Sequence, residues 1–180
     1  MRKYPFLIAV SVLLLDRLSK WLIAVNLDLY DSRPVLPGLF QLTHVQNSGA
    51  AFGLFDGSSS PWKVAVLILF SVLALLVVAA MLWKNNHGEM TTGVGLALVL
   101  GGAIGNLWDR LLSGQVVDFL DFYVGTYHWP EFNFADSAIV VGAFLVASKI
   151  LFAKHPADQK VPGARINQAR GGADTYVSRQ

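Results

Sequence analysis

Long apolar runs alternate with short polar stretches along this chain. Val64 to Leu82 contains no charged residue, and neither does Met90 to Trp108. Ser137 to Ala153 contains only Lys149. Tyr4 to Val25 is as long and mostly apolar, but it carries Asp16, Arg17 and Lys20. A helix needs about 20 such residues to cross the hydrocarbon core of a bilayer. The pattern therefore predicts four membrane-crossing helices, over about 4–25, 63–84, 90–112 and 136–153.

The stretch GLFQLTHVQNSGAAFGLF reads differently. Apolar and β-prone residues alternate there, with Gly38, Gly49, Gly53 and Gly57 nearby, which predicts short strands and turns. Phe52, Leu54 and Phe55 are placed to dip into the membrane interface, and DGSSSPW makes a turn before the second helix. Ala97, Gly101 and Gly105 recur every four residues in the third helix, a stripe whose small size permits close helix packing. No internal repeat and no soluble catalytic domain are visible. Residues 1–153 are expected to form one membrane domain, and 154–180 a polar, basic, flexible tail.

Composition supports a membrane setting. Of the 180 residues 54% are hydrophobic and 14% charged, against about 25% charged in ordinary soluble domains. Mean hydropathy is +0.49. The first segment opens with Arg2 and Lys3 like a signal peptide, but no small-x-small cleavage site follows, and the apolar pattern resumes at Trp21. It is expected to be retained. Among the basic residues of the connecting segments and helix ends, Arg2, Lys3, Lys84, Lys154, Lys160, Arg165, Arg170 and Arg179 fall on one side of a four-span arrangement. Only Arg33 and Lys63 fall on the other. Basic loops stay cytoplasmic, so both termini are expected inside, with about 27–61 and 114–133 outside. The chain has no cysteine, which excludes disulfides, a thiol nucleophile and cysteine metal ligands.

The charged residues left within apolar segments converge. Counting depth at about 1.5 Å per residue, Asp16 lies near mid-membrane and Lys20 one turn further out. Asn106, Asp109 and Arg110 lie near the outer end of the third helix, Asp118 follows, and Asp136 opens the fourth. Ionisable groups at that depth are functional candidates. Each also has a plain structural role available. Asp16 and Lys20, at i and i+4, neutralise each other. Arg110 and Lys149 can snorkel. Asp136 alone reads best as a helix N-cap. Asp118 changes that balance, because Val116, Val117, Phe119, Leu120 and Phe122 around it do not suit a solvated loop. Asp121 reads as the exposed acid of the two. Asp118 and Asp136 flank one outer loop and can therefore meet. Two carboxylates in a partly dry site share a proton. The ionised one can take a proton from water, and the protonated one can polarise an amide carbonyl. That is aspartic protease chemistry.

These residues carry a resemblance. DRLSK at 16–20, NSGAAFG at 47–53, GGAIGNLWDR at 101–110, GQVVDFLDF at 114–122 and FNFADS at 132–137 resemble the lipoprotein signal peptidase family, signal peptidase II, over residues 4–153. The resemblance implies an all-α membrane protein of four transmembrane helices with a small extracytoplasmic β-rich cradle. It implies an aspartic endopeptidase of the bacterial inner membrane. Such an enzyme removes signal peptides from diacylglyceryl-modified prolipoproteins, cutting just before the lipidated cysteine. Asp118 and Asp136 then correspond to the catalytic dyad. Asp16, Lys20, Asn47, Gly49, Asn106, Asp109, Arg110 and Asn133 correspond to residues that bind substrate or support the site. The expected partners are the prolipoprotein and membrane lipid. No cofactor, metal or nucleic acid is expected, and a monomer suffices.

Other classes remain open on the residues alone. A proton-coupled transporter also uses membrane carboxylates, but such folds often show repeated halves around a mid-membrane site. A purely structural four-helix protein does not need Asp16, Asp109, Asp118 and Asp136 together. A zinc protease is disfavoured because His44, His87, His128 and His155 are scattered and no H-E-x-x-H is present. Ser48 with Lys20 is a possible Ser–Lys pair without a supporting nucleophile motif.

Overall fold

The structure, a computed structural model, describes residues 3–49, 61–85 and 89–152. Four helices form: α1 (Tyr4–Asn26), α2 (Pro61–Lys84), α3 (Met90–Ser113) and α4 (Phe134–Leu151). Their limits lie within two residues of those expected. Helix α2 begins at Pro61 because the ring presets the first-turn backbone and the missing N–H has no intrahelical partner there. Helix α4 begins at Phe134 because Asn133, not Asp136, is its N-cap. Gly114, in the left-handed region with φ +74°, ends α3.

Helix α3 is the central element. It packs against α4, α1 and α2, and its glycines set how closely. A Cβ at Gly101 would meet the Ala9 carbonyl oxygen of α1 at 2.6 Å, and one at Gly102 would collide with the Ala135 carbonyl oxygen of α4. Gly95 and Gly142 approach each other's backbone in the same way further along. The predicted small-residue stripe is thus a seam between helices.

Three helices, α2, α3 and α4, are long and apolar enough to cross a membrane. Helix α1 is as long, 23 residues, but Asp16, Arg17 and Lys20 set it apart. No residue of α2 is buried, and Leu69 and Leu76 of α2 and Phe144 and Ile150 of α4 are exposed. Such a belt of exposed large apolar side chains suits lipid.

Four strands make one antiparallel sheet in the order β1 (Ser32–Leu36), β2 (Phe40–Asn47), β3 (Val116–Val124), β4 (Tyr127–His128). Its tight turns use Gly38 at φ +81° and Gly125 at φ +62°, a conformation that glycine adopts without steric cost. Strand β1 follows α1, β3 follows α3, and β4 leads into α4. The sheet therefore sits at one end of the bundle, where α1 and α3 finish and α4 starts. Strand β2 falls in the stretch where strands are expected, and β1 lies before that stretch. The readings for Gly53, Gly57, Phe52, Leu54, Phe55 and the tail lie outside the described residues.

Candidate active site

The site is built on the N-terminus of α4. Asn133 Oδ1 accepts the Asp136 N–H at 2.9 Å, and Asp136 Oδ2 accepts the Asn133 N–H at 3.3 Å. This reciprocal capping box satisfies two of the helix's free amides. The cap open to Asp136 taken alone is thus held by Asn133, with Asp136 as its partner in the box. Asp136 sits one turn inside, at the third helical position, so its other oxygen is free to face inward. Asp136 Oδ1 accepts from Asn106 Nδ2 of α3 at 2.7 Å.

Asp118 arrives from β3. The register pairs Val45 with Asp118 and Asn47 with Val116, which brings the end of β2 beside it. Asn47 Nδ2 donates to Asp118 Oδ2 at 2.9 Å, and Asn133 Nδ2 donates to Asp118 Oδ1 at 2.6 Å. Asn133 thus touches both carboxylates, through its side chain on one and its backbone on the other. Asp118 is only 3% exposed. Burial pushes its carboxyl up to about 7, and the nearby charge of Asp136 adds to this. The hydrogen bonds from Asn47 and Asn133 and the Lys20 charge oppose the rise without cancelling it.

A second layer lies behind these residues. Lys20 Nζ is 2.8 Å from Asp16 Oδ2, 2.7 Å from Asp109 Oδ2 and 3.0 Å from Asn106 Oδ1. Arg17 also pairs with Asp109. Asp16 Oδ1 accepts the Ala135 N–H of α4 at 3.1 Å. A Cβ at Gly105 would lie 2.6 Å from Asp16 Oδ2, so the glycine leaves room for that carboxylate. Arg110, half-buried, donates to the Asn106 and Gly49 carbonyl oxygens at 3.4 and 3.3 Å. Gly49 N–H in turn donates to Asn47 Oδ1 at 2.8 Å. Every site residue named from the sequence therefore falls in one connected group: Asp118, Asp136, Asn47, Asn106 and Asn133 in front, Gly49 and Arg110 beside them, Asp16, Lys20 and Asp109 behind.

Asp118 and Asp136 open onto a cleft of about 650 Å³. Apart from its polar head the cleft is walled by apolar side chains, among them Phe70 and Ala74 of α2, Val99 of α3 and Val140 of α4. Trp129 and Phe132 also line it. Sequence reasoning misses these wall residues, because an apolar residue facing a cleft has no pattern distinct from one facing lipid. It also misses Arg17, whose partner Asp109 is remote in sequence, although a charge inside an apolar run is a signal. Asp121, expected to be exposed, is 2% exposed. It accepts from Gln41 Nε2 at 2.7 Å and pairs with His128 Nδ1 at 2.8 Å, because β3 is an inner strand covered from both sides. Among the described residues no group of three His, Cys, Asp or Glu side chains is arranged to hold a metal ion.

Comparison with known proteins now decides the family. The family described as signal peptidase (SPase) II matches residues 8–152. The chain belongs to the signal peptidase II family. A lipoprotein signal peptidase of Solibacter usitatus is 43% identical over 150 residues, covering 83% of this chain and 92% of that protein. One from Geobacter sulfurreducens is 46% identical over 140 residues, 78% and 86% of the two chains. A solved bacterial membrane enzyme superposes with a TM-score of 0.78 at 31% identity, covering 87% of this chain and 93% of its own. A second gives 0.72 at 32%, with 83% and 93% coverage. Signal peptidase II proteins are proteases, so the chain is a membrane hydrolase whose substrate bond is a peptide.

Proposed function

We propose that this chain removes signal peptides from diacylglyceryl-modified prolipoproteins, cutting just before the lipidated cysteine, with Asp118 and Asp136 as an aspartyl dyad. The observation that carries the reading is the pairing itself. Two carboxylates, Asp118 buried and Asp136 half-buried, are joined through Asn133 at the head of an apolar cleft. The lipoprotein signal peptidase relatives are consistent with this substrate class.

The chemistry follows from the geometry. The scissile carbonyl enters between the carboxylates. The ionised member takes a proton from water as the water oxygen bonds to the carbonyl carbon. The protonated member donates to the carbonyl oxygen and stabilises the charge that develops there. Collapse of the tetrahedral species breaks the C–N bond, and the leaving nitrogen receives a proton from the dyad. Asp118, raised to about 7, holds a proton in a large share of molecules near neutral pH, as such a mechanism requires. The apolar walls of α2, α3 and α4 suit acyl chains and a hydrophobic signal helix.

The membrane placement is part of the same reading. Residues 1–153 form a four-span peptidase domain in the bacterial inner membrane, and 154–180 a cytoplasmic tail. Helix α1 is the fourth span. Its charges favour this, because Asp16 and Lys20 are 0% and 1% exposed and face the bundle rather than lipid. Both termini are cytoplasmic and the sheet end faces outward, where a substrate anchored by its lipid presents the bond. The enzyme works as a monomer without metal or cofactor.

The test is cleavage of a diacylglyceryl-modified prolipoprotein by purified protein in detergent, read as released signal peptide. Wild-type cleavage, with loss in both Asp118→Asn and Asp136→Asn at unchanged melting, supports the dyad. Normal cleavage by either variant removes that aspartate from the reaction.

A further inference from the structure

Three asparagine amides hold the two carboxylates, and each is useful only if its nitrogen points at them. The amide group of Asn is nearly symmetric in shape, so its orientation is set by what lies on its other side. Asn133 is set by backbone, since its Oδ1 accepts the Asp136 N–H at 2.9 Å. Asn47 is also set by backbone, since its Oδ1 accepts the Gly49 N–H at 2.8 Å. Asn106 differs. Its Oδ1 faces Lys20 Nζ at 3.0 Å, with Asn133 Nδ2 at 3.3 Å as a longer second donor. That second donor already makes a shorter bond, 2.6 Å, to Asp118.

We propose that Lys20 is a positioning residue that fixes the orientation of the Asn106 amide and so makes Asn106 an obligate donor to Asp136. An ammonium group has three donors and no acceptor. Toward Lys20, Asn106 can therefore present only its oxygen, and its nitrogen is turned to Asp136 Oδ1 at 2.7 Å. The reversed amide would face the ammonium with N–H groups and face the carboxylate with a lone pair, unfavourable on both sides. Asp136 then meets a donor at each oxygen, Asn106 on one and the Asn133 N–H on the other. That arrangement holds it as an acceptor, the form that takes a proton from water. Lys20 is 1% exposed and Asn106 7%, so the bond between them is buried. Asp16 and Asp109 keep the ammonium in place. The inference rests on the reading of Asp136 as one member of the dyad.

The test is a double-mutant cycle between Lys20 and Asn106 in the full chain, with prolipoprotein cleavage and thermal melting as readouts. Lys20→Met removes the donor. Asp16→Asn with Lys20→Met is the charge-balanced second variant. It keeps a carbonyl oxygen for the Ala135 N–H and leaves Asp109 its Arg17 partner. Each is measured with Asn106 present and with Asn106→Ala. With Asn106 present, kcat is expected to fall about ten- to a hundredfold, as for one hydrogen bond to a charged group, with KM little changed. In the Asn106→Ala background the Lys20 change should lower kcat no further. Additive losses, an unchanged kcat, a rise in KM alone, or failure of both variants to fold would each make Lys20 a structural ion only and overturn the proposal. A wild-type protein that releases no signal peptide brings down the functional reading itself. Cleavage by wild type with additive losses brings down only the role of Lys20.

Discussion

The two ends of the helix bundle carry the same kinds of charge and treat them in opposite ways. At the sheet end, Lys20 is 1% exposed and reaches Asp16, Asp109 and Asn106. At the other end, Lys149 pairs with Glu89, and their side chains stay 41% and 52% exposed. Exposed pairs contribute little, because solvent already stabilises each ion. Buried ions are costly to desolvate, and that cost is recovered only through good geometry and added hydrogen bonds. The lesson is that burial and connection, not the presence of an ion pair, mark the working end. Helix α4 shows the contrast within 18 residues: its first turn holds Asp136 in a polar frame, and its last holds Lys149 at the surface.

The comparison breaks most sharply at the dyad. Asp118→Asn and Asp136→Asn are each expected to lower cleavage by at least about a hundredfold, the usual scale of acid–base catalysis. Released signal peptide measures it.

Next in size is a stability effect with a definite pH dependence. The folded value of Asp118 is raised to about 7 from an ordinary 3.8. Between those pH values the folded state binds more protons than the unfolded one. Wild-type stability therefore falls as pH rises through this range and is level above it. Asp118→Asn lacks this cost. Its melting advantage over wild type should open from about pH 4 to about pH 7, worth at most about 4 kcal/mol. The new amide nitrogen, facing the donors Asn47 and Asn133, offsets part of that gain. Parallel melting curves across pH would contradict the buried state of Asp118.

Smaller again is a steric test of the seam. Gly102→Val forces a side chain into the Ala135 carbonyl oxygen and Ile139. It should destabilise by about 1–3 kcal/mol and shift the start of α4, lowering cleavage as well. Thermal melting and activity on one preparation check both. Smallest is the far end. Lys149→Met should change stability by less than about 1 kcal/mol and leave cleavage unaltered. A large loss there would erase the distinction between the two ends.

Much of this architecture is legible in the chain itself. The four helices appear because apolar runs long enough to span are visible as composition. Strand β2 is legible as alternation after Gly38. The candidate site is legible as a set of charges in the wrong solvent, from Asp16 to Asp136. Three features are not. Asp121 reads as exposed, because burial of an inner strand depends on what covers it. The cleft wall of Phe70, Val99 and Val140 reads as lipid-facing, because lipid and substrate ask for the same side chains. Asp136 taken alone reads as the cap, whereas Asn133 three residues earlier holds that place.

The sequence by itself determined which segments are apolar, where helices stop, and that several ionisable groups are confined to one end of the bundle. These are local properties, written in runs and spacings. Only the tertiary structure decided who meets whom: Arg17 with Asp109, Lys20 with Asn106, Asn133 with both carboxylates. Such contacts join residues as far apart as α1 and α3, and they form when glycines at 101, 102 and 105 let three helices approach. A hydrogen-bond donor has a direction, and direction exists only once the backbone that aims it is in place.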